Sequence, residues 1–221
     1  MSVEAQEDPK SGFISKNRLE ALVDGVFAFA MTLLVVGLSV PDIPKAEAAT
    51  LLPAHIATMF PEFLSFLIAF LILASFWIVH HEQFHYLREV NMWVLWLNIF
   101  ILIFVVLVPF STNLSGDYSH VMIAPLIFHL NMLALGLLFL IQWQYIIHRP
   151  ALLTAPVHPG RVQDAVMERF IIILSAGSGI VLLFIGVSFS TMYMYMVFPI
   201  VMRILMWYLH GKQADTSAPQ A

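Results

Sequence analysis

Apolar residues fill this chain in long runs, and short polar breaks separate them. A helix needs about 20 predominantly apolar residues to cross a bilayer core about 30 Å thick. Six runs meet that need, at about 19–40, 61–81, 91–111, 121–147, 170–188 and 190–210. "PDIPKAEAAT" ends the first run with two prolines, and "HHEQFHYLREV" divides the second from the third. "PFSTNLSGDYSH" ends the third, and "HRPALLTAPVHPGRVQDAVMER" divides the fourth from the fifth. The break near "SFSTMY" is the faintest, but one helix across both last runs would overshoot the membrane. The pattern predicts an all-α membrane protein with six transmembrane helices per chain. Residues 16–210 form its single domain, and the polar segments 1–15 and 211–221 are expected to be disordered.

Composition agrees. The 221 residues are 60% hydrophobic and 11% charged, with a mean hydropathy of +0.87. Soluble domains average about 45–50% apolar and about 25% charged. Charge adds an orientation. With the N-terminus inside, the inner segments hold Lys10, Lys16, Arg18, Arg88, Arg149, Arg161, Arg169 and Lys212, with Arg203 close to the same side. The outer loops hold only Lys45. Basic residues favour the cytoplasmic side, so both termini are expected in the cytoplasm of a cell whose plasma membrane the chain spans.

Several function classes drop out. The chain has no cysteine, which removes disulfides and thiolate chemistry. No basic run suggests nucleic acid, and no glycine-rich phosphate loop is present. The connecting segments are too short for a soluble catalytic domain, so no enzyme activity and no cofactor are expected. The helices themselves must carry the function.

The first run opens with Arg18, Glu20 and Asp24 and then stays apolar. On a helix, Leu22, Gly25, Val26, Phe29, Thr32, Leu33 and Val36 fall on one stripe. The two acids sit where the positive end of the helix dipole favours anions. Acids at a membrane boundary usually face protein or water rather than lipid. A plain reading is a cytoplasmic cap in which Arg18 snorkels.

Three stretches together resemble the prokaryotic members of the transmembrane protein 175 family, which are potassium channels. The first is the family's Arg-x-x-x-Phe-Ser-Asp-Gly opening, here Arg18 to Gly25 followed by "VFAFAMTLL". The second is Trp-x-x-His-His at the end of the second run, here Trp77, His80 and His81. The third is "LWLN" at Leu95 to Asn98 with a Pro-Phe-x-Thr turn at Pro109 to Thr112. Leu22 and Val23 stand where the family has Phe-Ser, so one hydroxyl is missing.

The resemblance implies a homotetramer with four first helices around a pore for potassium and other monovalent cations. It implies apolar rings at Phe29, Leu33 and Val36, with Thr32 supplying hydroxyls between them. Phe29 stands where the family has a bulky aliphatic constriction. Apolar constrictions gate by dewetting, and no arginine-rich voltage sensor is present. The resemblance also makes Arg18 and Asp24 anchors at the pore mouth. A buried cluster of Arg18, Asp24, Trp77, His80 and His81 is expected to fix the first helix on the second.

Two rival readings stand beside the channel. One is a relative closed or altered in selectivity by its Phe29 ring. The other is a membrane redox protein holding haem on histidine pairs. His81 and His85 have the i, i+4 spacing of a metal helix but lack a third ligand, so a boundary histidine cluster with hydrogen-bonded partners is the plainer reading. No metal site is expected. His129, Asn131, Gln142 and Gln144 are expected to pair helices, and "SAGSG" at 175–179 to allow close packing. Trp143, Tyr145, Trp207 and Tyr208 suit an interfacial aromatic belt.

Overall fold

A computed structural model of the chain describes residues 15–187 and 191–197. Helix α1 (Lys16–Leu33) continues as a 3₁₀ turn over Leu34–Gly37. A short helix α2 (Ala48–Thr58) follows, then α3 (Phe60–Tyr86), α4 (Met92–Asp117), α5 (Ile123–Ile147) and α6 (Pro159–Phe184). Five of these are long and apolar enough to cross a membrane: α1 with its 3₁₀ turn, α3, α4, α5 and α6. The chain is an all-α, multi-pass membrane protein. The sixth expected span lies largely outside the described residues, as do residues 1–14 and 211–221, Arg203, Trp207 and Tyr208.

The helices overrun several expected breaks. α3 continues through the histidines to Tyr86, and α4 runs through Pro109 to Asp117. The polar residues there find partners inside the bundle. The Ser111 hydroxyl donates to the Val108 carbonyl at 3.1 Å, and buried Gln83 donates from Nε2 to the Phe139 carbonyl at 3.1 Å. α6 begins at Pro159 rather than near residue 170. Proline suits a first helical turn, because its missing N–H would have no partner there. His158 caps that turn by accepting from Gly160 N–H at 3.2 Å. α2 buries none of its residues, so it lies outside the core.

Successive long helices alternate in direction. A main core joins Phe27 and Ala30 of α1 with Phe76 of α3, Val105 of α4, Phe139 of α5 and Ala176 of α6. A smaller cluster of Leu19, Phe84, Leu87, Val94, Ile146 and Leu152 closes the end where α1 begins. Lipid is as apolar as these side chains, so close packing and polar pairs hold such a bundle rather than escape from water. Small residues serve that packing at Gly179, where an added Cβ would overlap the His129 ring.

Main-chain bonds clip two connections together at the same end. Arg88 N–H donates to the Leu152 carbonyl at 2.8 Å, and Thr154 N–H to the Tyr86 carbonyl at 2.9 Å. This end carries Lys16, Arg18, Arg88, Arg149 and Arg161, and the opposite end carries Lys45.

The aromatic belt expectation fails at Trp143. Its ring is fully buried, with the Arg169 guanidinium 5.0 Å from the ring centre. Burial follows from its place on the α5 face that packs against both neighbours, where α3 contributes Tyr86, 5.8 Å away. The exposed tryptophans of α4 are Trp93 and Trp96.

Candidate functional site

α1 has two unlike faces. Leu19, Val23, Phe27, Ala30 and Leu34 recur every three or four residues and are buried against α3 and α4. The opposite face is free. Leu22, Phe29 and Val36 are 50%, 60% and 73% exposed, and Arg18, Gly25 and Thr32 are exposed with them. Five of the seven residues of the expected stripe therefore lie on the free face. Val26 and Leu33 sit half-buried on its flank, so Leu33 does not stand squarely in line with Phe29 and Val36.

The free face is also narrow in places. Ala21, Gly25 and Ala28 are exposed small residues, and a Cβ at Gly25 would meet nothing within 4 Å. Packing among the described residues gives no reason for glycine there. The Thr32 hydroxyl donates to the Phe29 carbonyl at 2.8 Å, which leaves its oxygen free to accept. At the far end the helix tightens into the 3₁₀ turn, and Gly37 lies against Asn113 of α4 so closely that a Cβ would overlap its amide.

The expected polar cluster separates into two pairs. Trp77 donates from Nε1 to Asp24 Oδ1 at 2.8 Å, tying α3 to α1 at the surface. His81 is exposed beside it, with ring centres 6.0 Å apart. His80 turns the other way and is buried, its Nε2 2.9 Å from Asn98 Oδ1 of α4. An amide oxygen only accepts, so His80 donates. Phe84 stacks on His80 with centres 4.1 Å apart. Adjacent helical residues point about 100° apart, which is why the two histidines cannot share one cluster.

Arg18 joins neither pair and is exposed on the free face. The basic anchor of this end is Lys16, whose Nζ donates to the Leu87 carbonyl at 2.8 Å and lies 3.9 Å from Glu20. Neither Lys16 nor Asn98 was singled out from the sequence as a partner. Asn98 had a signal, being a polar side chain within an apolar run. Lys16 had none, because its partner is a backbone carbonyl.

His81 and His85 are both exposed, and among the described residues no three His, Asp or Glu side chains converge as a metal site requires. Of the polar residues in α5, Asn131 donates from Nδ2 to Ser111 Oγ of α4 at 3.2 Å. His129 Nδ1 lies 2.9 Å from the Tyr195 hydroxyl. Gln142 is buried without a hydrogen-bond partner among the described residues.

Comparisons with known proteins bear on this arrangement. The family model described as the endosomal/lysosomal potassium channel TMEM175 matches residues 18–109. A potassium channel of Streptomyces collinus is 33% identical over 135 residues, which cover 58% of this chain and 63% of that protein. The chain thus aligns with less than two thirds of that relative's length. A potassium channel of Chamaesiphon minutus is 28% identical over 195 residues, covering 87% of this chain and 91% of that protein. The crystal structure of a lysosomal potassium-selective channel TMEM175 homolog from Chamaesiphon minutus is similar with a TM-score of 0.70 and 25% identity. It covers 84% of this chain and 96% of that one. The family match begins at Arg18 and takes in the free face of α1 and the Asp24, Trp77, His80 and Asn98 pairs, so over residues 18–109 the chain is similar to the TMEM175 family.

Proposed function

We propose that this chain is one subunit of a homotetrameric, potassium-permeable cation channel whose pore is lined by α1. One observation carries the reading. The first helix leaves one face free, and that face alternates Leu22, Phe29 and Val36 with Gly25, Thr32 and the charged Arg18. A purely lipid-facing stripe has no use for a charge and small residues at these positions. Potassium as the permeant ion follows from the relatives named potassium channels.

Four copies around one axis give apolar rings at Phe29 and Val36, with Leu33 contributing from the flank and Thr32 hydroxyls between. Such rings exclude water when narrow and conduct when wide. Selectivity then rests on ring diameter and hydroxyl oxygens. Asp24 and Trp77 hold α1 at its entrance, with Gly25, His80 and His81 around them. The end with five described basic residues faces the cytoplasm of the cell, and the Lys45 end faces outward.

The test is ion flux into liposomes containing the purified protein, comparing potassium, sodium and a large impermeant cation. Potassium flux above sodium supports the channel. A tetramer that passes no ion, in wild type and in Phe29→Ala alike, rejects it. A second reading, a pore closed at rest by the Phe29 ring, is favoured by the size and 60% exposure of that aromatic side chain. It predicts flux only after Phe29→Ala.

A further inference from the structure

The geometry points to a weak site for a hard divalent cation in a cleft between the 3₁₀ end of α1, the start of α3 and the end of α4. Gly37, Glu62, Ser65, Thr112, Asn113 and Asp117 line this cleft. The donors are all oxygens: two carboxylates, two hydroxyls and an amide. Oxygen-only sets of mixed charge suit calcium, which tolerates irregular geometry, better than zinc, which selects nitrogen and sulfur.

Three observations converge on a ligand there. Thr112 is only 3% exposed, and its Oγ1 has no hydrogen-bond partner among the described residues. A buried hydroxyl left unpaired costs about 1–3 kcal/mol, so something in the cleft is expected to meet it. Glu62 and Asp117 form no ion pair among the described residues, where the three ion pairs use Lys16, Arg88 and Arg161 at the other end. Finally, two helical segments end at the cleft, α4 at Asp117 and the 3₁₀ turn at Gly37. Their last carbonyls add negative potential, which the start of α3 at Phe60 partly offsets.

The site would bridge the far end of α1 to both helices that hold it. Asn113 is the link, since its amide lies against Gly37 while lining the cleft. With only two carboxylates the expected affinity is in the range of weak extracellular calcium modules, about 10⁻⁴–10⁻³ M. The site is a property of one chain and stands whether or not the tetramer conducts.

Calorimetric titration of the full-length protein in detergent with calcium chloride tests it. Saturable binding of one calcium per chain is expected. Glu62→Gln and Asp117→Asn each weaken binding at least about tenfold, as loss of one carboxylate from so small a set should. Thr112→Val weakens it while elution on size exclusion stays unchanged, and Glu47→Gln, an exposed acid just before α2, leaves it intact. No saturable binding, or binding retained in the Glu62→Gln/Asp117→Asn double variant, overturns the site. Repeating the titration in potassium chloride and in choline chloride separates divalent from monovalent occupancy. Equal affinity in both supports a divalent site, and loss of the calcium signal in potassium chloride overturns it in favour of potassium.

Discussion

Trp77 and Asp24 lie 53 positions apart in sequence and meet at 2.8 Å, an indole N–H on a carboxylate oxygen. The pair joins the first and second membrane spans near the end where α1 begins. A double-mutant cycle of Trp77→Phe and Asp24→Ala isolates its contribution. We expect a coupling of about 1 kcal/mol, the usual net worth of such a bond. Unfolding in detergent is the measurement, and additive effects of the two changes would mean that the pair holds nothing.

His80 depends on Asn98 in a drier setting. Asn98→Ala leaves a buried imidazole N–H without an acceptor and is expected to cost about 1–3 kcal/mol. Replacing both partners by apolar residues, His80→Phe with Asn98→Leu, should recover most of that loss. Thermal midpoints of the single and double variants decide it.

Two glycines of α6 make a matched test of packing. Gly179→Ala drives a methyl into the His129 ring and should destabilise the protein by about 1–3 kcal/mol. Gly177→Ala meets nothing within 4 Å among the described residues and should be neutral or slightly stabilising. The same thermal assay reads both, and equal losses would show that the His129 contact is not the cause.

Gly25 separates the subunit from the assembly. Gly25→Leu has open space within one chain, so helix content and the packing of a single subunit should not change. If four α1 faces crowd one axis, the same change should break the tetramer or abolish flux. Light scattering on the purified protein reports the outcome, and an unaltered tetramer with unaltered flux would move the pore away from this face.

The sequence reveals the spans and the two-faced first helix because both depend on local pattern. Apolar run length places α3, α4 and α5, and the spacing of Leu22, Gly25, Phe29, Thr32 and Val36 finds the free stripe. Boundaries shift wherever a polar residue has a distant partner. Gln83 bonds a carbonyl of α5, and Ser111 accepts from Asn131 of α5, so α3 and α4 outlast their apolar runs. α6 starts early because "PGRVQDAVMER" is a helical sequence whose charges read as a loop on hydropathy alone. α2 buries nothing and leaves no periodic trace. At the site, depth in the membrane brings His80 and His81 level with Asp24, but the turn of the helix decides which neighbour each meets. The clip between Arg88 and Leu152 joins segments 64 positions apart, and no local pattern encodes it.

That clip divides the subunit mechanically. The end of α3 and the connection leading into α6 are riveted by main chain, while α1 makes no backbone–backbone hydrogen bond to any other element among the described residues. Side chains alone seat α1, chiefly Phe27 and Ala30 in the core, Asp24 on Trp77 and Lys16 on the Leu87 carbonyl. A shaft held in this way turns or slides within its bearing by exchanging side-chain contacts. The junction of the end of α3 with the connection leading into α6 moves only by breaking peptide hydrogen bonds. Displacement of α1 against its neighbours therefore leaves the clip between α3 and the α5–α6 connection intact.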